Sequence, residues 1–155
     1  MNTAGGGFGA VRIPGAGGSV YEVIVAPLDF PQEVGAEMHM RSEAKREYLG
    51  AGLVERMRPV LDALPLELKV EAVREMVRLQ AFGVVDEAAM KQFRISPSGL
   101  AIDLWHRGKA HTPGLTLEKL RAIITEANAP EVAAQLHEII MLRGRPVGSE
   151  GSEGK

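Results

Sequence analysis

The chain has 155 residues, 45% of them hydrophobic and 25% charged, with a formal net charge of −2. That is the balance of an ordinary globular protein, long enough to bury a core without disulfide or metal staples. It holds no cysteine, which excludes disulfides, thiolate metal sites and thiol nucleophiles, and its charge lacks the basic excess of a general nucleic-acid binder. The opening MNTAGGGFGA has neither the basic nor the apolar region of a signal peptide. No stretch approaches the ~20 apolar residues of a membrane span. The expectation is a cytoplasmic protein with no membrane partner.

Residues 1–7, rich in glycine, read as a flexible N-terminus. From Phe8 to Ala26 the segments FGAVRI and VYEVIVAPL carry β-branched and aromatic residues, and Pro14-Gly15 with the glycines after it marks a turn between them. This is a β-hairpin, which is marginal in water unless it packs on something. Residues 27–143 turn helical. Asp29 and Gln32 approximate a capping box for a helix running from Pro31 to about Leu49, where Gly50 and Gly52 interrupt it. A shorter helix over Leu53–Leu64 is strained at Pro59. Pro65 then starts the most regular amphipathic segment, with Leu66, Val70, Val73, Met76 and Val77 on one face and Glu67, Glu71, Arg74, Glu75 and Arg78 on the other. A short helix follows Asp86, to about Phe93.

Three helices fill the C-terminal third. Ser96 caps the first, with Pro97 at its start, Leu100, Leu104 and Trp105 on its apolar face and Gly108 at its end. Thr116 caps the second, whose inward residues are Leu117, Leu120, Ile123 and Ile124. Pro130 opens the third, with Val132, Leu136, Ile139 and Ile140 inward and Gly144 and Pro146 stopping it. Such short helices are marginal alone and must bury one another. Residues 144–155 end in a Gly-Ser-Glu tail with nothing apolar to order it. The fold class is mainly α, with an N-terminal β-hairpin packed on or appended to a compact helical domain of about six helices.

No catalytic, metal or cofactor-binding site emerges, and the chain does not read as an enzyme. His137-Glu138 begins like a zinc-protease helix, but Met141 stands where the second histidine belongs. His106 and His111 do not share a helical face. Gly108-Lys109 resembles the end of a phosphate loop, but Asp103 and Ala110 break the pattern, and Gly7/Gly9 and Gly15/Gly17 lack the third glycine of a dinucleotide motif. Glu67, Glu71 and Glu75 lie among arginines on a charged helix face, and Ser96 is a cap rather than a nucleophile. Trp105 sits in a basic stretch with His106, Arg107, Lys109 and His111. Its spacing from Leu100 and Leu104 favours a core anchor over a base-stacking platform.

Two segments carry a family resemblance. The first is YEVIVAPLDFPQEVGAEMH, with Pro27-Leu28, Asp29 as cap, Glu33 and Glu37. The second is SPSGLAIDLWHRGKAHTPGLTLEKLRAII, with Gly99, Leu100, Leu104, Trp105, His111, Pro113, Leu115, Thr116, Leu117 and Glu118. Together they cover under half of the chain, and they resemble the tail assembly chaperones of long-tailed bacteriophages and related gene transfer agents.

The resemblance implies a non-enzymatic chaperone that coats the tape-measure protein and helps recruit tail-tube subunits. It would act in the cytoplasm of a bacterial host and be absent from the mature virion. It also implies a ribosomal frameshift that appends a second domain to some chains, and the terminal Gly154-Lys155 is compatible with a slippery codon run. The expected partner-binding residues are Leu104, Trp105, His111, Leu115, Leu117 and Leu120, with plain core as the alternative for the helix pair around Leu104, Trp105, Leu117 and Leu120, and self-association stays open. Two rivals remain. One is a structural neck or tail-completion subunit whose hairpin adds to a neighbour's sheet edge. The other is a small helical nucleic-acid-binding regulator using Arg94, Arg107, Lys109 and Arg121.

Overall fold

The computed structural model describes residues 8–143. The expected flexible N-terminus (1–7) and the Gly-Ser-Glu tail (144–155) lie outside the described residues. The fold is mainly α with an N-terminal antiparallel hairpin, the class that the sequence indicates. The stretch 27–143 is shared between two compact units. One comprises the chain up to Ala36 and from Arg94 onward; the other is Glu37–Phe93. We call them the hairpin unit and the insert unit.

In the hairpin unit, β1 (Gly9–Pro14) pairs with β2 (Val20–Val25) in a register that sets Val11 against Val23 and Ile13 against Tyr21. Alternation along the strands buries Val11, Ile13, Val23 and Val25, as the twofold period of a strand requires when one face is covered. The connection turns through Gly17 and Gly18 at φ 67° and 81°, a backbone region that side chains resist and glycine accepts. The covering layer is α5 (Pro97–Gly108), α6 (Leu117–Ile123) and α7 (Ala129–Arg143), with β2 against α5 and β1 against α7. Leu100, Leu104, Leu115, Leu120, Ile124, Val132 and Leu136 join the four strand residues in one core. The hairpin is thus packed on the helices, which supplies the apolar cover an isolated hairpin lacks.

Local chemistry sets the helix starts. Ser96 Oγ accepts from the Gly99 N–H at 3.2 Å, and Thr116 Oγ1 from the Lys119 N–H at 3.1 Å. Each satisfies one of the free N–H groups of a first turn. Before α7, the Thr125 N–H donates to Asn128 Oδ1 at 2.8 Å. Gly108 is needed where α5 meets the hairpin. A Cβ there would stand 2.8 Å from Val23 Cγ1 and 3.2 Å from the Ile24 carbonyl.

Both outer edges of the hairpin are occupied by side chains. Gln135 Oε1 accepts from the Arg12 N–H at 2.8 Å, and its Nε2 donates to the Arg12 carbonyl at 2.8 Å. Thr112 Oγ1 accepts from the Ile24 N–H at 2.8 Å and donates to the Ile24 carbonyl at 3.0 Å. Asn128 Nδ2 donates to the Pro14 carbonyl at 3.1 Å. These bonds satisfy outward-facing main-chain groups that a two-stranded sheet leaves open.

The insert unit receives the second part of α1 (Phe30–Leu49) and contains α2 (Ala51–Asp62) and α3 (Leu66–Phe82). It ends in α4 (Glu87–Arg94). At the start of α1 the capping box is reciprocal: the Asp29 N–H donates to Gln32 Oε1 at 2.9 Å, and the Gln32 N–H donates to Asp29 Oδ1 at 2.8 Å. The break at residue 50 requires glycine at position 52, where a Cβ would overlap the Glu47 carbonyl. Arg56 holds the exposed carbonyls, donating to Glu47 O at 3.1 Å and Tyr48 O at 3.4 Å. Asp86 caps α4 by accepting from the Ala89 N–H at 2.8 Å. The buried apolar residues of this unit are Met40, Ala44, Leu61, Val85, Met90 and Phe93.

Candidate partner-binding surface

The six residues expected to bind a partner lie in the hairpin unit, and half of them are not surface. Leu104, Leu115 and Leu120 are buried in its core. They fill the layer between α5, α6 and β2, so they offer no area to another chain; the expectation is corrected for these three. Trp105 and Leu117 pack partly buried against the same core. Lys109 Nζ lies 4.2 Å from the centre of the Trp105 ring, and the His106 ring stands edge-on at 4.9 Å. Trp105 is therefore a core anchor with one face under a cation. His111 is exposed and meets the Phe8 ring edge-on at 4.7 Å.

The four cations of the nucleic-acid reading do not form a free patch. The Arg107 side chain is only 14% exposed, 2.8 Å from Asp103 Oδ1 and 3.7 Å from Glu33 Oε2. Lys109 is spent on Trp105. Arg94 and Arg121 both have partners of their own. Among the described residues, no group of three or more His, Asp or Glu side chains could hold a metal ion. Among the same residues, no helix is long and apolar enough to cross a membrane.

An unclaimed apolar surface lies in the insert unit, on α3. This helix has 17 residues and buries none of them. Leu66, Val70, Val73 and Val77, the stripe that the sequence shows at helical spacing, are 72, 42, 45 and 63% exposed. A stripe of this kind ordinarily faces a core. Here α2 covers it only along one side. Between the two helices runs a groove of about 290 Å³ lined by Leu49, Val54, Leu61, Val73, Met76 and Val77. Gln80 also lines it, and Gln80 Oε1 is buried with no hydrogen-bond partner among the described residues. Leu68, Leu79 and Phe82 of α3 and Val60 of α2 are exposed as well.

Charges border this surface. Arg58 Nη2 donates to Glu55 Oε2 at 2.8 Å, and Arg78 Nη2 to Glu75 Oε2 at 3.0 Å. The hydrogen bond from Arg58 holds the Glu55 carboxyl below the ordinary carboxylate range. Glu67, Glu71 and Arg74 are exposed on the flank of the stripe. What the arrangement can do is bury an apolar helix face, with Met76 giving adaptable contact and charges selecting orientation.

The sequence reading did not place the partner surface here. The stripe itself is legible in the sequence, but its exposure is not, because helical spacing carries no information about what lies opposite. Comparison of the chain with protein families, curated proteins and solved structures finds no match.

Proposed function

We propose that this protein is a non-enzymatic assembly chaperone of the phage tail type, which keeps a long helical tape-measure protein soluble and helps recruit tail-tube subunits. The resemblance of residues 21–39 and 96–124 to such chaperones supplies the reading. The observation that carries it on the physical side is α3, a helix with an outward apolar stripe and no buried residue. Amphipathic helices of a tape-measure protein present the complementary face, and docking one into the α2–α3 groove buries both. The groove is shallow and short, so each contact is weak and releasable. Repetition along an extended partner supplies avidity. On this reading the binding residues are Val54, Val73, Met76 and Val77 of the insert unit. The protein acts in the bacterial cytoplasm and is absent from finished particles.

The test is co-expression of this chain with the tape-measure reading frame of the same genome. The tape-measure protein is expected to be soluble and to co-purify with the chain. A Val73→Glu/Val77→Glu variant, which changes exposed positions only, is expected to lose co-purification while keeping its helical circular dichroism. A tape-measure protein equally soluble with and without the chain overturns the proposal, as does abundant presence of the chain in purified particles.

A further inference from the structure

We infer that the α3 stripe is an interface between two copies of this chain, paired antiparallel about a twofold axis. The pattern is self-complementary. Written as a seven-residue repeat, Val70 and Val77 fall at a, Leu66 and Val73 at d, Glu67 and Arg74 at e, and Lys69 and Met76 at g. In an antiparallel helix pair, a layers meet d layers and each flank meets its own kind. Val70 then faces Val73 of the partner subunit, and Leu66 faces Val77 of the partner subunit. On the e flank, Glu67 faces Arg74 of the partner subunit, and the twofold axis repeats that pair. Neither Glu67 nor Arg74 has an ion-pair partner among the described residues of its own chain. A parallel pair would instead bring Lys69 at g beside Arg74 of the partner subunit at e, a like-charge contact that selects against it.

The size of the insert unit argues the same way. It spans Glu37–Phe93, a length at which one small core leaves a chain marginal. Its buried apolar side chains come from α1, α2, α4 and the segment before α4, and none from α3. A second copy covers the α3 face that its own unit leaves open. Burying four aliphatic side chains on each partner is the ordinary currency of such association. The inference does not rest on the chaperone reading: two copies cover the stripe when the chain is alone, and a tape-measure helix that docks on Val73 and Val77 displaces the second copy.

The experiment is sedimentation equilibrium of the full chain, with Glu67→Arg, Arg74→Glu and the doubly exchanged variant. The wild type is expected to be a dimer with a dissociation constant in about the micromolar range. Each single reversal sets like charges against each other twice and is expected to weaken the dimer at least about tenfold, whereas the double exchange recovers most of the loss. All four chains are compared at equal helical circular dichroism, since both positions are exposed. A wild type that stays monomeric at about 100 μM, a hundred times that constant, overturns the inference. A dimer indifferent to both reversals also overturns it, as does a double variant no better than the singles. A monomer that still solubilises the tape-measure protein overturns this inference alone and leaves the chaperone proposal standing.

Discussion

The two units are built from similar material and end in opposite states. In the hairpin unit, fifteen of the residues buried as core come from two strands, the start of α1 and helices α5 to α7 with their connections; the insert unit buries only Met40, Ala44, Leu61, Val85, Met90 and Phe93. The difference is one of layers. A hairpin gives α5 and α7 a flat apolar face to lie on, so most of each helix stripe meets a partner and leaves the water; Ile140, expected inward, stays exposed at the end of α7. The insert unit has helices alone, and α3 packs chiefly on α2, along one side. An amphipathic stripe therefore becomes core or interface according to what its neighbours supply. The hairpin unit is the more deeply buried of the two, and the insert unit leaves the apolar face of α3 open.

The contrast can be broken by substitution, and the largest effect belongs to the scaffold. Leu104→Ala removes a fully buried side chain from the centre of the hairpin-unit core. It is expected to cost about 2–5 kcal/mol in urea unfolding followed by circular dichroism. Next comes Thr112→Val, which strips the Ile24 N–H and carbonyl of their shared hydroxyl partner. The expected loss is about 1–3 kcal/mol, because two groups at a half-buried edge go unpaired. Thr116→Ala removes the cap of α6 and should cost about 1 kcal/mol.

Smaller effects sharpen the other side. Val77→Ala on α3 changes an exposed position. At concentrations low enough to keep the chain monomeric, its unfolding free energy should match the wild type within about 0.5 kcal/mol. A loss as large as that of Leu104→Ala would mean that α3 is core, and would end the contrast. The smallest effect is electrostatic. The Glu55 carboxyl, depressed by its bond from Arg58, should titrate below an ordinary glutamate by NMR and return to the ordinary value in Arg58→Ala. A depressed folded-state value means the pair contributes only above the unfolded carboxylate range and is lost as pH falls through the folded value. Full exposure keeps that contribution small.

Much of the local structure was legible. The capping pairs Asp29/Gln32, Ser96/Gly99 and Thr116/Lys119 form where the residue types announce them, because a cap depends on a few neighbouring atoms. The helix break at Gly50 and the turn through Gly17-Gly18 follow for the same reason, although Gly52, expected to share the break, lies inside α2. Burial was less legible. Leu104 and Leu120 on one side, and Val73 and Val77 on the other, all sit on apolar stripes at helical spacing, and spacing is blind to whether another element lies opposite. The sequence reading took the first pair as a partner surface; they are core, while the second pair is open to water. The edge caps from Gln135 and Thr112 were also hidden, since each reaches a strand about 90 or more residues away in sequence.

The sequence by itself determined the helix and strand positions, their caps and breaks, and the lack of cysteine chemistry, because those depend on residue type and near neighbours. Only the tertiary structure decided which stripes are covered. The hairpin lies against α5 and α7 and covers much of their apolar faces, while the insert unit contains helices and no strand, and α3 keeps its own face open. Burial is a property of pairs of surfaces, and a single helix pattern carries only one of the two.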